Sequence, residues 1–412
     1  MNKRLIALLS VLAILPSIVL AQETSQNYVK SVTMLTADGT ESLLSVQYFN
    51  GLGFPTLSVA TAGTQGGTVS LLTTYDGCGR ENRKYAPVPG IGIDYATEST
   101  ILSKGVFYSD NSAFTQNHYD ALDRLTAVDL AGDAWRNAGK QNRTEYLANV
   151  SSDLVLHYKA TDASSCGLVQ PENTSYMYYP EGSLRKVVSY DADSKSVTVF
   201  TDMLGNKILE RTAAGDTYYV YNDLGQLRFV LPPAYNNSVS NAMFAYEYRY
   251  DYRGRLQSKT LPQCDTIHYS YDCANRISFT RDAALGDRYR FYLYDKLGRV
   301  CVQGTCSSRG EDGSVLATAV YVGGYAGICN SGYSALYDIN DPELEIVNYY
   351  DNYDFMEGGT SDKMPVVTVS DNQRQYALGF QTGTVVYATN GEALGTICLY
   401  DQKGQITKSV RK

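Results

Sequence analysis

One six-residue phrase, used again and again, constrains this chain more than any other feature. Its fullest form is Tyr294-Asp295-Lys296-Leu297-Gly298-Arg299: an aromatic, Asp or Asn, two free positions, Gly, and a basic or polar residue. Asp295 stands where a type I turn prefers Asp, Asn or Ser, whose side chains accept from the backbone ahead. Gly298 stands where the chain turns left-handed and bulges before the next strand. The phrase therefore specifies a tight β-hairpin, with Tyr294 ending one strand and Arg299-Val300 beginning the next.

Ten copies start at Phe49, Tyr75, Tyr119, Tyr190, Thr201, Tyr221, Tyr250, Tyr271, Tyr294 and Tyr400. They place structural turn residues at Asp76 and Gly79, Asp123, Gly225, Asp251 and Gly254, Asp272 and Asn275, Asp295 and Gly298, and Asp401 and Gly404. Gly holds the left-handed position in seven copies, the others being Gly53 and Gly205. Asp123 and Asn275 replace it with the types that best tolerate that backbone after Gly, so positive φ is predicted at both. Ser194 fits poorly and predicts a looser turn. The copies beginning at 201, 221, 250, 271 and 294 are separated by 20, 29, 21 and 23 residues, an internal repeat of about two strands and two turns. Tyr349 to Asp354 resembles the phrase but lacks its Gly.

Composition agrees. Tyrosine supplies 36 residues against 11 Phe and one Trp, which suits strands packed on one side and wet on the other. Tyr219 and Tyr221 alternate with Tyr218 and Val220; Leu227, Phe229 and Leu231 share a face with Arg228 opposite. The expected fold class is all-β, built of antiparallel hairpin repeats.

At the start, Met1 to Arg4 is followed by an apolar run from Leu5 to Leu20, with Val19 and Ala21 in the small-residue pattern of signal cleavage. Residues 1–21 read as a signal peptide, and the chain as exported through the Sec route to the periplasm, the cell surface or the exterior. No later stretch is long and apolar enough to span a membrane. Residues 22–160 read as an N-terminal β module and 161–412 as the repeat sheet. The segment from Gly132 to Asn142 reads as an irregular excursion, and Leu154 to Tyr158 and Val366 to Val369 as strands. Eight cysteines in an exported chain can form disulfides, and Cys264/Cys273 or Cys301/Cys306 could lie across neighbouring strands.

The chemistry classes narrow quickly. A net charge of −8 gives no support to nucleic-acid binding. Cysteine and histidine spacings do not fit zinc sites, and His118, His157 and His268 anchor no nucleophilic triad. No phosphate-binding Gly loop or nucleophile elbow occurs, so no cofactor is expected. The recurring Asp residues invite a carboxylate-pair reading, as in a glycosidase, but their fixed place favours a turn role. Arg80, Arg124, Arg255, Arg276 and Arg299 are expected to ladder with carboxylates or stack on tyrosines. Rows of Tyr could stack on glycans or present a protein-recognition surface. The C-terminal strand from Tyr400 to Val410 could pair with another protein chain.

These phrases resemble the YD repeats of RHS (rearrangement hot spot) proteins. Gln47 to Gly53, Asp216 to Tyr221 and Tyr349 to Phe355 resemble wording of exported Bacteroidetes-type members with their N-terminal module. The resemblance implies a long sheet winding spirally into a hollow shell that, in larger members, encloses a C-terminal toxin. No core segment or toxin domain is recognisable here, so a partial shell is expected. Three functional expectations follow: a non-catalytic structural or interaction protein, a carbohydrate-binding cell-surface module, or the shell remnant of a polymorphic toxin.

Overall fold

The computed structural model describes residues 26–36, 40–62, 67–104, 110, 112–160, 168–169, 177–236, 241–309, 315–323, 326–356, 363–388 and 392–412. The expected signal peptide, Cys166, and most of the expected loop from Asp162 to Asn173 lie outside them. Among the described residues 30 strands run in antiparallel ladders, six of them in three small two-stranded pairs, and the longest helix, Glu98–Lys104, has 7 residues. The fold is all-β. No helix among the described residues is long and apolar enough to cross a membrane.

The chain divides into two compact units, Met1–Leu154 with Tyr179–Ala214, and Val155–Tyr178 with Gly215–Lys412. In the first unit, strands Asn27–Met34, Ser42–Phe49, Pro55–Ala62 and Gly67–Tyr75 pair in succession. Gly67–Tyr75 then forks. Its start pairs with Val88–Pro89 and its end with Glu81–Tyr85. The ladder continues through Phe114–Tyr119, Leu125–Asp129, Gln141–Ala148, Arg185–Tyr190, Ser196–Thr201 and Lys207–Thr212. Val46, Tyr48, Leu57, Val59 and Leu72 share a core with Ile101 of the short helix. The Gly132 to Asn142 segment is more ordered than its sequence suggests: a short helix, Asp133–Asn137, precedes the strand that begins at Gln141.

The second unit runs Gly215–Tyr221, Leu227–Leu231, Tyr246–Tyr250, Leu256–Thr260, Thr266–Tyr271, Ile277–Arg281, Tyr289–Tyr294, Val300–Cys306, Glu343–Tyr350, Gln381–Tyr387, Ala393–Tyr400 and Ile406–Arg411. Alternation sends Phe291, Leu293, Val302, Val347, Tyr349, Val385, Ile397 and Leu399 into one core. Each such side chain contributes about 1.5–3 kcal/mol by leaving water. Chain between Tyr350 and Gln381 adds Tyr353, Phe355, Met364 and Ala377 to that core. Gly383 and Gly395 make room for it: a Cβ at Gly383 would stand 2.5 Å from the Phe355 ring, and one at Gly395 2.1 Å from the Lys363 carbonyl.

Several sequence expectations are corrected. Leu154 to Tyr158 makes only an isolated bridge, Leu156 to Tyr178, and Val366 to Val369 is not a strand. Arg228 is buried along with Phe229, so both faces of that strand are covered. Cys301 and Cys306 lie on the same strand, Cys264 and Cys273 lie exposed in turns, and all seven described cysteines are free thiols.

Candidate functional site

The candidate site is the row of phrase turns, because it is where charged and aromatic side chains converge. At Asp295 the geometry is complete. The Asp295 N–H donates to the Arg299 carbonyl at 2.9 Å, and the Gly298 N–H to the Asp295 carbonyl at 3.1 Å. Asp295 Oδ1 accepts from the N–H groups of Leu297 (2.8 Å) and Arg299 (2.9 Å), while Oδ2 accepts from Arg299 Nε (2.6 Å). One carboxylate thus satisfies two turn amides and holds the guanidinium.

The Oδ1 pair of bonds recurs in all ten copies, headed by Asn50, Asp76, Asp120, Asp191, Asp202, Asn222, Asp251, Asp272, Asp295 and Asp401. The left-handed residue has positive φ throughout, 61° at Asp123 and 63° at Asn275. Ser194, expected to loosen its turn, also sits at 64° and keeps every turn bond. Its copy differs elsewhere. The other nine carry a one-residue register shift at the first position of the phrase, and the Tyr190 hairpin has none. Pairing of Arg143 with both Ala127 and Tyr190 also puts that turn on the rim opposite the Asp120 and Asp202 turns.

The sixth position couples neighbouring hairpins. Arg276 lies 4.6 Å over the Tyr294 ring and Arg299 4.3 Å over Tyr350. Arg255 covers Tyr271 at 4.6 Å, Arg80 covers Tyr119 at 4.7 Å, and Arg124 covers Tyr146 at 4.4 Å. The guanidinium then reaches the next turn: Arg80 to Asp123 (2.6 Å), Arg255 to Asn275 (2.9 Å), Arg299 to Asp351 (3.0 Å). The covered tyrosine answers. Its hydroxyl donates to the carbonyl just after the arginine: Tyr271 to Leu256, Tyr294 to Ile277, Tyr350 to Val300, Tyr119 to Glu81. Ring face and hydroxyl are both used inside the ladder.

A split copy was half visible in the sequence, where Tyr349 to Asp354 resembles the phrase without its Gly. Tyr350 carries the usual register shift, and the Asp351 N–H donates to the Phe380 carbonyl at 3.0 Å, as Asp295 does to Arg299. The Gly379 N–H donates to Asp351 Oδ1, and Gly379 has φ 90°. Residues 352–378 interrupt a phrase that Gly379 and Phe380 complete. Phe380 then stacks on Tyr400 at 4.8 Å, as Phe54 of the first copy stacks on Tyr75 at 5.3 Å. The signal available in the sequence was Gly379-Phe380 before a strand, matching Gly53-Phe54.

Electrostatics follow the same geometry. Asp76 and Asp120 are held below the usual carboxyl value, first by the N–H of the arginine four residues on. At Asp251 partial burial pushes upward, and the bonds from Arg255 and Arg253 outweigh it. Beside Asp295 a cavity of about 260 Å³ is lined by Arg299, Cys301, Tyr321 and Tyr333. Burial pushes the Cys301 thiol there up to about 11, so it is protonated near neutral pH and no thiolate nucleophile. No metal-binding cluster of His, Cys, Asp or Glu occurs among the described residues.

Residues 21–148 match the family model described as "Domain of unknown function (DUF6443)". No curated protein matches the chain. Among solved structures, the chain is similar to TcdB2-TccC3 without its hypervariable C-terminal region (14% identity, TM-score 0.47, covering 93% of this chain and 19% of that one). It is similar to a TcdB2-TccC3-TEV structure (12% identity, TM-score 0.49, 98% and 18%). It is also similar to a Photorhabdus luminescens Tc holotoxin pore (14% identity, TM-score 0.44, 93% and 19%). The chain spans about a fifth of the length of the chains it matches.

Proposed function

We propose that this chain is an exported structural and interaction protein, an RHS-type YD-repeat scaffold that performs no catalysis. The observation that carries the reading is the occupancy of the phrase carboxylates. Asp76, Asp120, Asp251, Asp272 and Asp295 each spend Oδ1 on two turn amides and Oδ2 on their own arginine. A general acid or nucleophile needs a carboxyl facing substrate; these face their own backbone. One face of each covered tyrosine ring is already taken by an arginine and is not free to stack on a sugar, which counts against the glycan reading for this row.

The test combines a hydrolase substrate panel with melting of the mature chain and of the Asp251→Asn, Asp272→Asn and Asp295→Asn variants. The scaffold reading expects no turnover in any form and a lowered melting temperature in each variant. Turnover of a glycoside or ester that a variant abolishes, at unchanged melting temperature, would overturn it.

A further inference from the structure

We propose that the strand Asn27–Met34 is a self-association edge, which pairs antiparallel with the same strand of a second copy across a two-fold axis. Among the described residues it is bonded on one side only, to Ser42–Phe49, and all 8 of its residues are exposed. An outer strand turns the N–H and C=O groups of alternate residues to solvent, and proteins blunt such edges with charge, proline or a bulge. This strand has a single charge, Lys30, no proline, and an unbroken register against Ser42–Phe49. It belongs to no phrase hairpin, so the proposal stands apart from the scaffold reading above.

The side chains define what must cover it. Tyr28, Lys30, Val32 and Met34 lie opposite Tyr48, Val46, Leu44 and Ser42. Tyr48 and Val46 are fully buried, so this is the core face of the sheet. Yet Val32 and Met34 are 48% and 61% exposed, and Tyr28, whose ring packs 5.8 Å from that of Tyr48, is 40% exposed. The core runs to the edge of the sheet and stops uncovered. Its occupant must be a strand with apolar residues on the same face and little charge. The outer strand of the second unit, Ile406–Arg411, does not qualify. Its Lys408 and Val410 pair with the buried Leu399 and Ile397, so Lys408 would join Lys30 on the core face. A second Asn27–Met34 does qualify, and its own pattern selects the register. The core faces coincide only when residues of the same facing meet. An axis at Lys30 would set Lys30 against itself, and an axis at Val32 would carry Tyr28 past the end of its mate. An axis at Ser31 pairs Tyr28 with Met34 and Lys30 with Val32, each twice, and joins the two cores.

The test is analytical ultracentrifugation of the mature chain across the micromolar range. A reversible monomer–dimer equilibrium is expected. Val32→Lys sets a lysine against the second copy's Lys30 at two places and removes two apolar contacts, so it should weaken association by about tenfold or more. Adding Lys30→Glu turns each clash into an ion pair and should restore most of that loss. Ser31→Cys should cross-link two chains under mild oxidation, because directly opposed residues stand about 4.5–5.5 Å apart, within disulfide reach. Thr33→Cys, which faces Val29, should not. The linked peptide is identified by mass, which separates it from links through the exposed Cys78, Cys264 and Cys273. All these side chains are solvent-facing, so the monomer's melting temperature should hold in every variant. A chain that stays monomeric throughout, a dimer indifferent to Val32→Lys, a loss that Lys30→Glu does not rescue, or a dimer without the Ser31→Cys link overturns the proposal.

Discussion

At Tyr294 the plate laid over the ring is the Arg276 guanidinium; at Tyr400 it is the Phe380 phenyl. The two turns are otherwise close in backbone plan, yet one is bound by an ion pair and the other by apolar stacking. Arg276 holds Asp272, which is fully buried and also accepts from the Ala317 N–H at 3.2 Å. Phe380 holds no carboxylate of its own. What the two share is a flat side chain at the sixth position whose next residue offers a carbonyl to the tyrosine hydroxyl, Ile277 in one case and Gln381 in the other. Flatness is the common requirement, and charge is the variable one.

The largest expected effect removes the buried half of the ion pair. Asp272→Ala leaves Arg276 and three backbone N–H groups without their acceptor, and should cost about 3–5 kcal/mol. Asp401→Ala removes a turn acceptor that binds no arginine, and should cost about 1 kcal/mol. Denaturant unfolding of both variants checks this. Equal losses would break the comparison, since burial and the arginine would then add nothing to the turn.

Next come the glycines. Gly298 and Gly404 have φ of 82° and 75°, so alanine at either meets a left-handed penalty of about 1–2 kcal/mol. At Gly298 a Cβ would meet nothing within 4 Å; at Gly404 it would stand 2.5 Å from the Phe380 ring. Gly404→Ala should therefore destabilise by about 1–3 kcal/mol more than Gly298→Ala. Matching melts would mean that the Phe380 plate moves aside freely.

These contrasts also show what the sequence could reveal. Turn residues act over four positions, so Asp295, Gly298, Asp123 and Asn275 declare themselves in a short window. The all-β class followed from them and from the alternation of Tyr218 to Tyr221. The ladder between turns was legible only as residue types: Arg276 announced that it would stack or pair, but its ring, Tyr294, lies a full hairpin away. The second half of the split copy was missed because Asp351 and Gly379 are 28 residues apart, and hydrogen bonding rather than spacing unites the two halves. Alternation placed Arg228 on the face opposite Phe229, but strand alternation cannot tell that both faces are covered.

A smaller effect isolates the plate itself. Phe380→Ala uncovers Tyr400 and should cost about 1–2 kcal/mol in stacking and buried area. Phe380→Arg restores a flat group over the ring, and should recover part of that loss even though Asp351 is already bound to Arg299. Recovery measured by thermal melting supports flatness as the shared requirement. An arginine variant as unstable as the alanine one would show that apolar burial is what Tyr400 needs.

The smallest effect is acid sensitivity, and it separates the two chemistries without mutation. Asp120 is held below the ordinary carboxyl value of 3.8, first by the Arg124 N–H and, against partial desolvation, by the Arg124 side chain. A carboxyl lowered on folding contributes stability that is fully present above the unfolded value and is lost as pH falls through the folded one. The hairpin headed by Asn50 has no carboxylate to protonate, and its plate is Phe54 over Tyr75. Both hairpins present a comparable reporter, a sixth-position N–H bonded to the side chain of the second position: Phe54 to Asn50 at 2.9 Å and Arg124 to Asp120 at 3.0 Å. As pH is lowered below 3.8, amide-exchange protection should fall at Arg124 while holding at Phe54. Parallel loss at the two amides would locate the acid response in the unit as a whole and remove the distinction between an ion-paired turn and a stacked one.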